Sequence, residues 1–144
     1  MLDHLPKEVR DRSGKIIFTT DDGFFDDADL RNADLNCANL VGISLMCADL
    51  RDADLSGADM YWVSLFEANL ERADLRGASL RGGNIIDANF AYTKLQGADF
   101  GRDNLNGMTD VTGTDFNCAE YDSSTIFPDG FDPQARGMIR TSGS

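Results

Sequence analysis

The sequence has few of the residues from which reactive sites are built. It contains one histidine, three cysteines and one tryptophan among 144 residues. Zinc centres and nucleophilic sites need histidines and cysteines at set spacings, and no such spacing occurs here. A glycine-rich phosphate loop and a nucleophile elbow are also missing. We therefore predict no catalytic residue, no metal ion and no cofactor.

Long apolar segments are missing as well. No apolar run approaches the ~18 residues that a membrane-spanning helix requires. The first residues do not follow the order of a signal peptide, which places a basic region before an apolar one. We expect a cytoplasmic protein that does not enter a membrane.

Basic residues are scarce relative to acidic ones. The chain has 13 Lys and Arg against 25 Asp and Glu, which gives a net charge of −12. Because like charges repel, we expect no direct binding to nucleic acid and none to an anionic membrane. Basic protein surfaces, in contrast, would be attracted.

The dominant positive feature is a repeat of five residues, seen in units such as ADLRN, ADLNC and ADLSG. Each unit has one large apolar residue, which we call its centre. The residue two before the centre is nearly always Ala, and the residue before it is usually Asp, Asn or Ser. The centres are Phe25, Leu30, Leu35, Leu40, Leu45, Leu50, Leu55, Met60, Leu65, Leu70, Leu75, Leu80, Ile85, Phe90, Leu95, Phe100 and Leu105.

A period of five fits neither a helix nor a simple strand, so the chain must turn a corner once in each unit. Four corners close a square, which makes one coil of 20 residues with the small residue and the centre pointing inward. Successive coils would stack about 4.8 Å apart and enclose a continuous core. The A(D/N)LXX units resemble the pentapeptide-repeat family. That resemblance implies an all-β fold, the right-handed quadrilateral β-helix, here with about five coils and a short cap at each end.

The repeat sets the expected domain limits. Residues 1–22 are predicted to form an arm and N-terminal cap, in which residues 1–14 are a short helix or extended and the segment KIIFTT covers the end of the core. Residues 23–127 form the β-helix, and residues 128–144 form a C-terminal cap and tail. The segment NGMTD holds one extra residue, which predicts a bulge. The centres then resume at Val111, Phe116, Tyr121 and Ile126, and Phe127, Phe131, Met138 and Ile139 would close the C-terminal end of the core.

Residues 20 apart should lie above one another, so the square has four faces, numbered 1 to 4 in chain order. The acids that precede the centres form what we call the acidic ladders. They are Asp29 and Asp49 on face 1, Asp34, Asp54 and Asp74 on face 2, and Asp59 and Asp99 on face 3; Asp110, Asp115 and Glu120 would continue faces 1, 2 and 3. Stacked carboxylates should raise one another's pKa, which predicts that stability improves as pH falls from 7 toward about 5. Alternatively, these side chains bond to the backbone at each corner and are partly neutralised by arginines.

Face 4 differs, because Ser and Asn precede its centres and apolar residues follow them. The apolar stripe consists of Met46, Phe66 and Ile86, with Val41, Tyr61 and Trp62 across one corner. Exposed apolar patches usually mark interfaces. Three occupants could cover the stripe, namely the N-terminal arm, a second copy of the chain or another protein.

Two functions follow from these surfaces. The first is a rigid protein-binding or scaffold module, without enzymatic activity, that uses the apolar stripe with a partner still unknown. The second comes from the resemblance, since some members of the family associated with quinolone resistance are similar to duplex DNA in shape and charge and occupy the DNA site of gyrase. If the resemblance extends to function, this chain is an acidic DNA mimic whose acidic ladders bind a DNA-processing enzyme such as gyrase.

Overall fold

A computed structural model describes residues 7–11, 13–20 and 25–142 of the chain. Between Phe25 and Phe127 the backbone winds into a right-handed quadrilateral β-helix, as predicted. Parallel bridges join residues that are 20 apart, for example Asp29 to Asp49 and Ser44 to Ser64. The backbone hydrogen bonds therefore run along the axis and connect each coil to the next.

Each of the four faces contributes five stacked centres, which makes five coils. The stacked centres of faces 1 to 4, in order, are Leu30, Leu50, Leu70, Phe90 and Phe116; Leu35, Leu55, Leu75, Leu95 and Tyr121; Leu40, Met60, Leu80, Phe100 and Phe127; and Phe25, Leu45, Leu65, Ile85 and Val111. Most of them are less than 5% exposed. The core is thus a narrow column of Leu and Phe, with small residues filling the space between them.

Most corners are β-turns that begin at a centre; the exceptions follow Phe100 and Tyr121. The amide of Ala48, for instance, donates to the carbonyl of Leu45 at 3.1 Å. The residue two after the centre has a positive φ, as a type II turn requires. Gly57, Gly77 and Gly97 occupy such corners, with φ of 68°, 71° and 74°.

A loop after Phe100 overturns the predicted bulge. Asn84 pairs with Asp110, so the spacing there is 26 residues instead of 20. Leu105, predicted as a centre, is 78% exposed. The reason lies two residues earlier, where Asp103 stands in place of the small inward residue, and an unpaired carboxylate is too costly to bury in an apolar core.

The loop, residues 102–108, changes the ladders beyond it. Asp110, Asp115 and Glu120 pair with Asn84, Asn89 and Lys94, and therefore lie on faces 4, 1 and 2 rather than faces 1, 2 and 3 as predicted. The last coil contains a second shift of one residue. Ile126 pairs with Asp99 and is 52% exposed, while Phe127 stacks on Phe100 with ring centroids 6.2 Å apart. Phe127, and not Ile126, is the last centre.

Two short sheets close the ends of the β-helix. At the N-terminal end, β1 (Lys7–Asp11) pairs antiparallel with β2 (Ile16–Thr20) and with β3 (Ala38–Asn39) of the first coil. The arm is therefore extended where it is described. The strand that pairs with the first coil is β1, whose Val9 is 1% exposed. Ile17 and Phe18 of β2 are partly buried against the core, and the centroid of the Phe18 ring lies 5.4 Å from that of Phe25.

At the C-terminal end, β4 (Glu120–Tyr121) pairs in parallel with β5 (Ile139–Arg140). Phe127 and Phe131 stack with centroids 4.9 Å apart, and Met138 is 7% exposed, as expected for residues that cover the core. Ile139 is 50% exposed and faces outward, which corrects its predicted role.

Candidate protein-binding faces

The acidic ladders are held by the backbone of the corner that follows them. Asp29, Asp49 and Asp74 each accept a hydrogen bond, at 3.1 to 3.3 Å, from the amide two residues later. Asn69 and Asn89 make the same contact at 3.1 and 2.9 Å. A short side chain with a carbonyl oxygen is therefore what the corner needs, and it need not be charged.

Arginines pair with several ladder acids. Arg31, Arg51 and Arg76 each contact the aspartate two residues before them, at 2.9, 2.6 and 2.6 Å. Arg72 crosses between coils and contacts Asp52 at 2.9 Å. These pairs lie on faces 1 and 2 and at the corner that joins them.

The pKa values of these acids follow the pairing. The hydrogen bonds of the Arg31 side chain lower the pKa of Asp29 to about 2, and Arg51 likewise lowers the pKa of Asp49. Burial raises the pKa of Asp74, but the bonds from Arg76 outweigh it, so the net shift is also downward. The predicted rise in the pKa values of the ladder acids is therefore wrong for these three, because arginines at short range outweigh the repulsion between coils.

The apolar stripe lies on face 4, as its spacing of 20 implied. Parallel bridges along the axis join Ser44 to Ser64 and Ser64 to Asn84. Each of these residues is two before a residue of the stripe, so the stripe residues are stacked in the same order. Met46 is 38% exposed, and Phe66 and Ile86 are partly exposed. The hairpin of β1 and β2 pairs with face 3 and leaves Met46 open to solvent.

The corner between faces 3 and 4 is occupied by the loop. The indole nitrogen of Trp62 donates to Asp103 Oδ2 at 2.7 Å, and the Tyr61 hydroxyl contacts Asn104 Oδ1 at 2.8 Å. The two rings meet edge to face, with centroids 4.6 Å apart. Tyr61 and Trp62 therefore hold the loop in place, while Val41 on the same face is 40% exposed.

A second set of acids borders the stripe, and the sequence analysis missed it. Asp27, Glu67 and Asp87 lie at the corner between faces 4 and 1, each one residue after the row that contains the stripe. We call them the face 4 acids. Among the described residues, no ion pair involves any of them, and their one side-chain hydrogen bond is from Cys47 to Glu67 at 3.7 Å. Reading the corner positions in columns, as was done for the ladders, would have revealed them.

The described residues contain no cluster of three or more His, Cys, Asp or Glu arranged to hold a metal ion. Cys37, Cys47 and Cys118 are free thiols. Within the described part of the chain, no helix is long and apolar enough to cross a membrane.

Comparisons with known proteins agree on the repeat. The family model described as pentapeptide repeats matches residues 25–60 and 64–102, in eight copies. A search of curated proteins gave no match.

Solved structures of three pentapeptide repeat proteins are similar to the chain. Rfr23 from the cyanobacterium Cyanothece 51142 has 30% sequence identity and a TM-score of 0.36, over 83% of this chain and 78% of that one. The protein alr5209 from Nostoc Pcc 7120 has 26% identity and a TM-score of 0.38, over 78% and 84%. A protein from the Arabidopsis thaliana thylakoid lumen has 24% identity and a TM-score of 0.44, over 77% and 70%.

Proposed function

Since the chain belongs to the pentapeptide-repeat family, we propose that it is a rigid, non-enzymatic module that binds another protein through face 4. The observation that carries this proposal is the apolar stripe. On faces 1 and 2 the residue after the centre is polar in the first two coils, as with Arg31, Arg51 and Ser56, whereas face 4 has Asp26 in the first coil and then Met46, Phe66 and Ile86 in three consecutive coils. The repeat does not require apolar residues at this outward position, so a partner that buries them accounts for them better.

The fold also suits binding without rearrangement. Backbone hydrogen bonds of about 2.7 to 3.1 Å connect neighbouring coils at almost every unit. A surface fixed in this way loses little conformational entropy when a partner binds, which favours affinity for a given contact area. A flat row of apolar side chains on a stiff support is a suitable docking surface.

The test compares proteins captured by three forms of the purified chain. The variant M46S/F66S/I86S removes the stripe, and the variant N36S/R51S/Q96S makes three substitutions of outward residues at the same repeat position on faces 1 and 2. We expect specific partners to be retained by the wild type and by the control variant but lost from the stripe variant. Light scattering of each form would show whether the partner is a second copy, because the mass would then fall only in the stripe variant.

Thermal unfolding of the three forms is needed alongside, since only folded variants are informative. If the stripe variant is folded and retains the same proteins and the same mass as the wild type, face 4 is not the binding surface. The proposal would then be wrong.

A second candidate function is competition with DNA for a DNA-processing enzyme such as gyrase. The net charge of −12 on a rod of stacked coils favours it, whereas the arginines on faces 1 and 2 reduce the negative field of the ladders. Supercoiling by purified gyrase, measured with increasing amounts of the protein at two salt concentrations, tests it. Inhibition at micromolar concentration that weakens with salt would support a DNA mimic, and no inhibition would exclude gyrase as its target.

A further inference from the structure

Face 4 is acidic and carries no positive charge of its own. Its units, residues 23–27, 43–47, 63–67, 83–87 and 109–113, contain no Lys and no Arg. The arginines of faces 1 and 2 are paired with acids of those faces, as with Arg31 and Asp29 or Arg76 and Asp74. Arg136 of the C-terminal cap lies beside Thr114, beyond the rows of Glu67 and Asp87. The face 4 acids thus border an apolar stripe without neutralisation from their own face.

The architecture does not explain these acids as it explains the ladders. Ladder aspartates accept an amide hydrogen bond, but within the described residues Asp27 and Asp87 have no side-chain hydrogen bond of this kind. The φ values of Asp27, Glu67 and Asp87 are 59°, 56° and 56°, which is the left-handed region where glycine is least strained. Corners elsewhere place Asn32, Trp62 or Tyr92 in the same conformation, so the repeat explains the φ of Glu67 but not its acidic side chain.

The geometry of face 4 limits what can lie along it. The rows of face 4 repeat once per coil, at about 4.8 Å along the axis, and from Asp27 to Asp87 the corner position holds an acid in every row except that of Cys47. One face of a helix repeats every turn, about 5.4 Å, whereas one face of an extended strand repeats about every 6.6 Å. From the row of Asp27 to that of Asp87 there are three coil steps, or about 15 Å, so a helix of about three turns stays in register with the face and a strand does not.

We propose that the partner contributes a basic amphipathic helix that lies along face 4, parallel to the axis of the coils. Its apolar side chains contact Met46, Phe66 and Ile86, and its Lys or Arg side chains on one edge contact Asp27, Glu67 and Asp87. This inference rests on the proposed function, since it takes face 4 as the binding surface and adds the chemistry of the occupant. A second copy of this chain fits less well, because the described residues include no basic helix and face 4 of the second copy would bring no positive charge.

The test uses a defined probe. A fluorescent peptide of 14 residues carries Leu on one helical face and Lys on the other positions, and a partner peptide has Glu in place of Lys. Fluorescence anisotropy gives the dissociation constant of each peptide for the wild type, for E67Q/D87N, for D34N/D54N and for M46S/F66S/I86S. The two acid variants change the net charge equally, but D34N/D54N changes face 2 instead of face 4. The control should fold, because Asn at the equivalent positions of face 1 accepts the same hydrogen bond from the corner amide.

We expect the Lys peptide to bind the wild type and the Glu peptide not to bind. E67Q/D87N should weaken binding by roughly fivefold or more, D34N/D54N by less than about twofold, and added salt should reduce the difference. The stripe variant should abolish binding.

Three results would overturn the inference. If both peptides bind equally, or if E67Q/D87N and D34N/D54N weaken binding to the same extent, the proposed basic helix is wrong. Loss of binding in the stripe variant would still support face 4 as a docking surface. If the Lys peptide does not bind the folded wild type, the proposed occupant is also wrong. If binding persists unchanged in the stripe variant, both the occupant and the proposed function fall.

Discussion

Trp62 donates a hydrogen bond from its indole nitrogen to Asp103, 41 residues later in the chain, at 2.7 Å. The same carboxylate accepts from the amides of Leu105 at 2.9 Å and Gly107 at 2.6 Å. One side chain therefore closes the loop on itself and ties it to the corner between faces 3 and 4. The loop therefore has a defined, hydrogen-bonded conformation, although it interrupts the repeat.

The substitution W62F should loosen this loop without unfolding the coils. Phe keeps the aromatic contact with Tyr61 but cannot donate to Asp103. Amide hydrogen exchange of Leu105 and Gly107 should become faster by roughly fivefold, since a bond to a charged acceptor is lost. The amides of face 2, such as that of Leu75, should be unaffected, and Y92F, at another exposed aromatic corner, should change neither set.

A pair of glycine substitutions separates backbone strain from steric conflict. Gly77 and Gly82 have φ of 71° and 67°, but an added Cβ at Gly77 meets no atom within 4 Å, whereas at Gly82 it lies 2.8 Å from both Asp103 Oδ2 and Trp62 Cδ1. G77A should therefore cost about 1 kcal/mol for the left-handed conformation. G82A should cost about 2 to 3 kcal/mol or displace the loop, because overpacking adds to the strain. Urea denaturation of both variants gives the comparison, and equal losses would contradict the packing of the loop on this corner.

The periodic part of the fold could be predicted from sequence because every unit satisfies the same local rules. Leu50 and Leu55, for example, each have Ala two residues before and an oxygen-bearing side chain one before. The five-residue spacing, the inward apolar residues and the polar residue that bonds to the corner therefore all predict the same coil. The rule fails at Leu105, because an apolar residue at the centre is not sufficient for a unit to enter the core. Asp103 at the inward position of this unit is the sequence signal for the loop, since an unpaired carboxylate is too costly to bury there.

The candidate surfaces were less predictable than the coils. The stripe could be placed from the spacing of Met46, Phe66 and Ile86 alone. The pairing of Tyr61 and Trp62 with the loop could not, because it joins residues about 40 apart after a break in the repeat. The pKa values of the ladder acids depended on side-chain conformations of Arg31, Arg51 and Arg76, which a spacing rule does not give.

The pairing of Arg31 with Asp29 has a pH signature. The pKa of Asp29 falls from 3.8 to about 2 in the folded protein, mainly through the hydrogen bonds from Arg31. A carboxylate whose pKa is lower in the folded state than in the unfolded state stabilises the fold at pH values above its unfolded-state pKa. This stabilisation is lost as the pH falls through the folded-state pKa. The difference in unfolding free energy between wild type and R31Q should therefore be constant from pH 7 to about 5 and decrease between about pH 4 and pH 2. An increase in this difference on acidification would mean that repulsion between stacked carboxylates governs the site after all.

Leu80 and Leu105 test the boundary between core and loop. Leu80 is fully buried as a centre of face 3, whereas Leu105 is 78% exposed. L80A should cost about 2 to 5 kcal/mol, because it removes contacts and leaves a cavity. L105S should change the unfolding free energy by less than about 0.5 kcal/mol, as expected of an exposed site. A large loss in L105S would place Leu105 in the core and restore the predicted one-residue bulge.

Deleting residues 103–108 should restore the 20-residue spacing at this point and leave only the one-residue shift of the last coil. The deletion joins Arg102 to Thr109, so the units Ala98 to Arg102 and Thr109 to Gly113 follow each other without interruption. Thr109 already occupies the inward position, where its hydroxyl donates to the carbonyl of Leu80 at 3.0 Å, and the chain need only close one more corner. Circular dichroism should retain the wild-type spectrum and a cooperative transition, because the shortened chain keeps every centre. Deleting only residue 108 is the change that would remove a one-residue bulge, and it should instead strain the loop and lower the melting temperature. If this single deletion gave the higher melting temperature of the two variants, the assigned register would be contradicted.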